Sequence, residues 1–240
     1  MTASSSKSSS PEKATSALSA LRDQIDDIDN ALLTLLAKRQ GLSRQIATKK
    51  ALGSNVFRPD REMSLLRNLI AAHPAIDPRL IMGLWRHIIS ASISEQKPDY
   101  TITHSQAARG LAESHGAGYM QCQSCDDVPS AIASLQNGTA DCVILTDDEL
   151  HSHSQHLIPD EIVVAASIGF LVQEGHQRGY ILCRELPLPS GDDKIVLRHD
   201  DGSLSFVDMA DDMTKQLEQT DGVIVGRYAT PLVSKENGMS

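Results

Sequence analysis

A stripe of apolar residues with heptad spacing runs through the first quarter of the chain. Between Leu18 and Leu52 the spacing alternates between three and four, at Leu18, Leu21, Ile25, Ile28, Leu32, Leu35, Leu42 and Ile46. This spacing predicts one long helix with an apolar seam. A helix of about 35 residues would be ~52 Å long, which exceeds the width of a small domain. We therefore expect a coiled coil or an interlocked dimer, because the helix cannot bury this stripe alone.

Arg39 occupies a position in the seam where the pattern calls for an apolar side chain. An unpaired guanidinium in an apolar seam is costly, so an anionic group must meet it or the side chain must extend to solvent. A structural ion pair with Glu62 or with a seam-facing aspartate is one explanation. An anionic ligand is the other.

Two shorter amphipathic helices follow the long one. Pro59 is placed to begin a helix that ends near Ala72. Asp77 and Pro78 supply the N-cap and first position of a third helix, which ends before Pro98. Residues 16–98 are therefore predicted to form an all-α three-helix domain, preceded by a Ser-rich, disordered tail at residues 1–15.

From residue 99 the pattern changes to short apolar runs bounded by Gly, Pro and Asp, which is typical of strands. Helices are predicted at 107–114 and 128–136, and Asp200-Asp201-Gly202 predicts a hairpin. We expect a smaller α/β (α+β) domain at 99–240. The predicted strands are 141–145, 162–166, 180–183, 195–198 and 223–225.

The net charge of −9 is unevenly distributed between these two regions. Residues 16–98 hold 12 basic and 8 acidic residues, whereas residues 99–240 hold 8 basic and 22 acidic ones. The acidic half disfavours nucleic acid or an anionic membrane as a partner. The chain has no long apolar run and no apolar leader, so we expect a cytoplasmic protein with four reduced cysteines.

Polar side chains with complementary chemistry accompany the apolar faces of the helical region. Cations directed to one interior, together with an acid, a hydroxyl and an amide, describe a buried, positively charged pocket for a small di- or tricarboxylate. Since no nucleophile with a neighbouring base occurs here, catalysis would be electrostatic and positional. The residues concerned are Arg22, Arg39, Lys50, Arg61, Glu62, Ser92 and Gln96.

Several ordered motifs in this region resemble the all-helical (AroQ-type) chorismate mutases. The resemblance covers about 80 residues, and its motifs occur in the family's order and at its spacing. It implies an intertwined homodimer that rearranges chorismate to prephenate without a cofactor or metal. The motifs are residues 20–33, 35–40 and 49–50, Arg58-Pro-Asp-Arg-Glu62, and Ile88-Ile89-Ser-Ala-Ser92 with Gln96.

The resemblance also implies a role for each pocket residue. Arg22 from one subunit and Arg39 from the other would hold the substrate carboxylates, and Ser92 would bind a carboxylate. Lys50 and Gln96 would donate to the ether oxygen, and Glu62 would accept from the ring hydroxyl. Arg61 would support the electrostatics. Arg58 stands where some members of the family carry an acidic residue near that hydroxyl, which is a departure from their pattern.

The region after residue 105 is similar to part of the prephenate dehydratases, with departures. Residues 105–146 resemble a dehydratase half-domain, and residues 177–184 resemble the strand that carries that family's Thr-Arg-Phe motif. Gln177 stands in place of the catalytic Thr and Gly179 in place of the Phe. The resemblance therefore implies a degenerate, non-catalytic relative that is regulatory or forms a docking surface, with residual dehydratase activity as the alternative.

Other functions remain open at this point. The mutase fold also occurs in isochorismate pyruvate-lyases and in binding proteins, so a chorismate or prephenate sensor and a structural coiled coil are alternatives. Cys122 and Cys125 have C-x-x-C spacing, which leaves a redox role open for them or, with the cluster His151, His153 and His156, a zinc site.

Overall fold

The chain divides into two compact units, Met1–Leu52 and Gly53–Ser240. The computed structural model describes residues 11–49, 55–168, 177–209 and 221–232. None of the helices in these ranges is long and apolar enough to cross a membrane.

The first unit contains helix α1, Pro11–Lys49, which is 39 residues and therefore about 58 Å long. The predicted long helix is confirmed, although it begins seven residues earlier than expected and residues 50–52 lie outside the described ranges. All eight apolar seam residues from Leu18 to Ile46 are between 43% and 63% exposed. A single chain therefore leaves the α1 stripe uncovered by its own unit.

The second unit begins with two helices whose predicted bounds are confirmed. Helix α2 spans Pro59–Ala72 and helix α3 spans Pro78–Gln96, each with proline at its start. The Asp77 side chain caps α3 by accepting a hydrogen bond from the Arg79 backbone N–H at 2.8 Å. Proline has no backbone N–H that needs a partner, and the Asp77 side chain supplies a partner for that of Arg79. Because both signals are local, the sequence predicts these helix starts correctly.

Both helices pack against the α/β part of the second unit. Met63, Leu66, Ile81 and Ala229 form one buried apolar cluster, and Ala229 belongs to a strand. Helices α2 and α3 thus belong to the same compact unit as the α/β part, and the division between the two units lies between residues 52 and 53. The boundary predicted between residues 98 and 99, where the helical region meets the α/β region, remains a prediction.

The α/β part is built on one eight-stranded mixed sheet. The strands are β1 Thr101–His104, β2 Gln121–Ser124, β3 Cys142–Thr146, β4 Val163–Ile168, β5 Gly179–Cys183, β6 Asp193–Arg198, β7 Leu204–Asp208 and β8 Val223–Ala229. Their order in the sheet is β2-β1-β3-β5-β4-β8-β6-β7. Strands β1, β2 and β3 are mutually parallel, β5 is antiparallel to β3 and β4, and β8 is parallel to β4 and antiparallel to β6.

Helices α4 (Arg109–Gly116), α5 (Val128–Gln136) and α6 (Asp147–Ser152) connect the first strands, and a 3-10 turn spans Ser154–His156. Two buried apolar clusters flank the sheet. In one of them α5 packs on β3 and β5, and in the other α4 packs on β1 and β3. The predicted α/β class is therefore confirmed.

Most of the predicted elements in this part are confirmed. Both predicted helices, the five predicted strands and the hairpin at Asp200-Asp201-Gly202 occur, with Gly202 at φ +83° in the turn between β6 and β7. Strands β1 and β2 were not predicted, because their sequences are short and mostly polar, and β7 was predicted only as the second arm of the hairpin. Among the described residues beyond residue 99, eight strands and three α-helices occur.

We predict that Gly226→Ala destabilises the sheet. A Cβ at Gly226 would lie 2.6 Å from Val164 Cβ and 2.7 Å from Val164 O, on the neighbouring strand β4, so the backbones would have to separate. Overpacking of this kind costs about 1–3 kcal/mol. Thermal unfolding followed by circular dichroism should show a melting temperature lower by several degrees.

The matched control is Gly110→Ala in α4, where an added Cβ has no heavy atom within 4 Å. This variant should melt at the same temperature as the original chain or slightly above it, because alanine favours helix. Equal melting temperatures for the two variants would contradict the close approach of β4 and β8.

Candidate active site

Helix α1 carries two of the predicted substrate-binding cations. Arg22 is exposed and Arg39 is partly buried. They are 17 residues apart on one helix, which separates them by about 25 Å along its axis. Two guanidinium groups at that distance cannot hold the two carboxylates of one small molecule. If both bind substrate, they act in different sites or on different copies of the helix.

Lys50, the predicted donor to the ether oxygen, lies outside the described residues. Its role therefore remains a prediction from the sequence.

Arg58 and Asp60 form an ion pair at the start of α2. Arg58 Nη2 donates to Asp60 Oδ2 at 2.7 Å, and Arg58 Nε donates to Oδ1 at 3.0 Å. Burial opposes ionisation of Asp60, but the hydrogen bonds and charge of Arg58 outweigh it and lower the pKa of that carboxyl. The hydrogen bond to Asp60 in turn raises the pKa of Arg58. Arg58 is thus engaged by a neighbouring acid, and Arg61 on the same helix is exposed.

Glu62 is buried and paired with a cation that the sequence analysis did not single out. Arg86 Nη1 on α3 donates to Glu62 Oε1 at 2.6 Å, and the two side chains are only 13% and 6% exposed. The structure therefore joins α2 to α3 through a buried ion pair 24 residues apart in sequence. The only local signal for this arrangement is that Arg86 and Ser90 lie one helical turn apart.

Ser92 and Gln96 lie on one face of α3, as their spacing predicts. Ser92 Oγ donates to Ile88 O at 2.8 Å, and Gln96 Nε2 donates to Ser92 O at 3.0 Å. Ser92 is buried and Gln96 is partly buried. The structure thus brings these two residues together on consecutive turns.

A small pocket lies beside Glu62, at the junction of α2 with the α/β part. It is lined by Phe57, Pro59, Glu62, Met63, His115, Ala166, Ser167, Ile181 and Ala229. His115 Nε2 and Ser167 Oγ are buried there without a hydrogen-bond partner in the described residues. Burial and the nearby Arg86 charge hold the pKa of His115 well below its usual value, so this ring is neutral. The pocket has room for little more than a water molecule.

A second polar cluster lies at the carboxyl ends of β1 and β3. Glu149 Oε2 accepts hydrogen bonds from Ser105 Oγ at 2.9 Å, Thr146 N at 2.9 Å and Thr146 Oγ1 at 3.0 Å. Thr146 Oγ1 also accepts from Glu149 N, which completes a capping box at the start of α6. The cluster therefore stabilises the turn between β3 and α6.

Gln177 and Gly179, which depart from the dehydratase motif, each make close contacts in the structure. Gln177 Nε2 donates to Ala107 O at 3.3 Å. A Cβ on Gly179 would lie 2.5 Å from Leu111 Cδ1 and 2.8 Å from Leu145 O, so strand β5 has no space for a side chain at this position. A phenylalanine at residue 179 is incompatible with this packing.

The cysteine and histidine motifs do not form a metal centre in the described part of the chain, where no group of three or more metal-ligating side chains comes together. Cys122 and Cys125 are both free, and burial raises the pKa of each thiol. His153 contacts Glu149 O at 3.1 Å, and its ring lies against that of His156. These contacts give the zinc hypothesis no support.

Comparison with known proteins shows what the helical region is similar to. Residues 21–97 match the family model described as chorismate mutase type II. The bifunctional chorismate mutase/prephenate dehydratase of Enterobacter agglomerans is 30% identical over 161 residues, which cover 57% of this chain and 41% of that protein. The T-protein of the same organism is 39% identical over 82 residues, which cover 33% of this chain and 22% of that protein.

Among solved structures, prephenate dehydratase from Streptococcus mutans aligns with a TM-score of 0.37 and 14% identity. The alignment covers 54% of this chain and 97% of that one.

The match to the bifunctional protein extends beyond the helical region. An alignment covering 57% of the chain extends past residue 97, because residues 1–97 are only about two fifths of the sequence. The relationship to the bifunctional protein therefore continues into the α/β part, while the chain spans less than half of that protein's length. Residues 21–97 are therefore similar to the type II chorismate mutases, and the similarity to the bifunctional protein continues into the α/β region that follows.

Proposed function

We propose that this protein is a chorismate mutase that converts chorismate to prephenate in the biosynthesis of phenylalanine and tyrosine. The observation that carries the proposal is the match of residues 21–97 to the type II chorismate mutases. Its relatives support the same activity, since one is a bifunctional chorismate mutase/prephenate dehydratase.

The chemistry suits a site without a nucleophile or cofactor. In this rearrangement the ether C–O bond breaks while a C–C bond forms within the same molecule, and no proton is transferred. An enzyme can therefore accelerate it by holding the reactive conformer and placing donors where negative charge develops. In our proposal Lys50 and Gln96 donate to the ether oxygen. Gln96, one turn from Ser92, carries an uncharged amide donor.

The substrate carboxylates would be held by Arg39 of one subunit, Arg22 of a second subunit, and Ser92. The separation of about 25 Å between the two arginines on α1 supports a site shared between copies of the chain. The exposed α1 stripe supplies an apolar surface for such a homodimer. Helix α3 adds exposed Leu80 and Leu84, which are 56% and 52% exposed. Burying surfaces of this kind is the driving force for association.

The remaining site residues would act around the ring hydroxyl. Glu62 would accept from it, Arg61 would add positive charge, and Arg58 would lie nearby in its pair with Asp60. The pocket beside Glu62 must widen for a substrate to reach this carboxylate, because it has room for little more than a water molecule.

The acidic α/β region would be a degenerate relative of the dehydratases with a regulatory or docking role. Gln177 and the tightly packed Gly179 support the loss of dehydratase chemistry. The bifunctional relative makes dehydratase activity the second candidate function. We place the protein in the cytoplasm, where a biosynthetic enzyme with four free cysteines would encounter its substrate.

We expect the purified protein to consume chorismate at pH 7.5 and to release prephenate. Loss of chorismate absorbance would be followed directly, and acid treatment of the product would identify prephenate. Lys50→Ala should lower kcat/KM by about 100-fold or more, because a charged donor to the developing oxyanion is removed. Since position 96 is glutamine rather than glutamate, activity should not require acid pH.

Lys38→Ala is the control, since Lys38 is an exposed lysine of α1 outside the predicted set. It should leave turnover unchanged. Saturable chorismate binding without turnover would instead identify a sensor, and a rate that collapses above pH 6 would contradict the role of Gln96.

Mixing two inactive variants tests the shared site. Arg22→Ala and Arg39→Ala should each abolish most activity. If each site combines Arg22 of one chain with Arg39 of the other, a heterodimer of the two variants has one intact site. Random exchange would then restore about a quarter of the original activity. Activity that stays at the level of the separate variants would show that each site uses both arginines of one chain or neither.

Prephenate dehydratase activity should be absent. Purified protein incubated with prephenate at neutral pH should form phenylpyruvate no faster than a blank without protein, because the threonine of the family motif is replaced by Gln177. Faster formation that increases with protein concentration would establish the bifunctional alternative.

A further inference from the structure

The ion pair between Glu62 and Arg86 is the most enclosed charge pair among the described residues. Its N–O distance is 2.6 Å, and its side chains are 6% and 13% exposed. Each other ion pair found there has at least one side chain that is more than 35% exposed. Because water screens this pair little, the position of one charge strongly constrains the other.

The guanidinium of Arg86 is itself fixed from two sides. Arg86 Nε donates to Ser90 Oγ at 3.1 Å, one turn further along α3. Ser90 Oγ donates to the carbonyl oxygen of His115 on α4 at 3.0 Å, which anchors this serine in the α/β part. With Nε and Nη1 both engaged, the planar fork has a defined orientation towards Glu62.

The side chain of His115 is a third contact of the Arg86 guanidinium. Its Nδ1 lies 3.4 Å from Arg86 Nη1, and because a guanidinium only donates, Nδ1 accepts and the ring proton lies on Nε2. The ring stands edge-on to Phe57 at 5.7 Å between centroids, which holds it in place. A neutral imidazole at this point supports Arg86 without competing for Glu62.

From this geometry we propose that Arg86 is a positioning residue for the Glu62 carboxylate in the mutase reaction, supported from the α/β region by His115. The inference rests on the proposed function, in which Glu62 accepts from the ring hydroxyl of chorismate. Arg86 binds Oε1 of Glu62, so that Oε2 is held at a fixed orientation. The α/β region thereby sets the orientation of a residue in the mutase segment.

The test is a double-substitution cycle on chorismate turnover. Glu62→Gln removes the acceptor charge and Arg86→Gln removes the cation that orients it. If Arg86 acts through Glu62, Arg86→Gln should lower kcat about ten-fold in the original chain and less than two-fold in the Glu62→Gln background. A residue that merely stabilises the fold would change the amount of folded protein but would leave kcat per folded molecule unchanged in both backgrounds. Melting temperatures are recorded for every variant to separate the two effects.

Arg86→Lys and the double variant of the cycle keep the proposal falsifiable if Arg86→Gln does not fold. Arg86→Lys retains a cation near Glu62 but loses the planar fork, so it should fold and recover part of kcat, with KM nearly unchanged. The double variant Glu62→Gln/Arg86→Gln removes both buried charges and should melt at a higher temperature than Arg86→Gln alone.

Arg79→Gln is the matched control, because Arg79 forms a 2.6 Å pair with Asp77 on the same helix while being 65% exposed. It should leave kcat unchanged. Equal losses from Arg86→Gln in both backgrounds would overturn the proposal. Turnover that is insensitive to Glu62→Gln would overturn it as well, while an original chain without any turnover would refute the proposed function itself.

Discussion

The apolar stripe of α1 is the constraint on which the helical region depends. Eight side chains along a helix of about 58 Å remain roughly half exposed in one chain. Moving such side chains fully out of water contributes on the order of 1 kcal/mol each. A stripe of this size favours association with a second apolar surface. The same geometry separates Arg22 from Arg39, so assembly and substrate binding would depend on one feature.

The second unit links the mutase helices to the α/β region in two ways. An apolar cluster of Met63, Leu66, Ile81 and Ala229 joins α2 and α3 to the end of β8. A polar network from Glu62 through Arg86 and Ser90 reaches α4. The apolar contacts provide burial without directional preference, whereas the hydrogen bonds fix orientation. These two links couple the α/β region to the segment that is similar to the chorismate mutases.

The α/β region combines parallel strands with connecting helices, and two of its local arrangements are closely specified by packing and hydrogen bonds. Gly179 is packed so closely against Leu145 and Leu111 that a side chain cannot be accommodated. Glu149, Ser105 and Thr146 use their hydrogen-bonding capacity on the start of α6. Polar groups at the carboxyl ends of strands commonly bind ligands, but here they stabilise a turn.

The sequence by itself determined the elements whose signals are local. The heptad spacing, the prolines at the starts of α2 and α3, the Asp77 cap and the Gly202 turn depend on neighbouring residues, and each is present as predicted. Ser92 and Gln96 share a face for the same reason, since residues four apart on a helix adjoin.

Only the tertiary structure decided which groups meet across long sequence separations. Arg86 lies 24 residues from Glu62 and 29 from His115, and no periodicity relates these positions. The short polar strands β1 and β2 likewise form because neighbouring strands supply their hydrogen bonds, which their own sequences do not indicate. Packing of α2 and α3 against β8 brings Glu62 into a buried environment. There its partner, Arg86, is determined by how the helices pack and by charge, and not by the spacing of the two residues in the sequence.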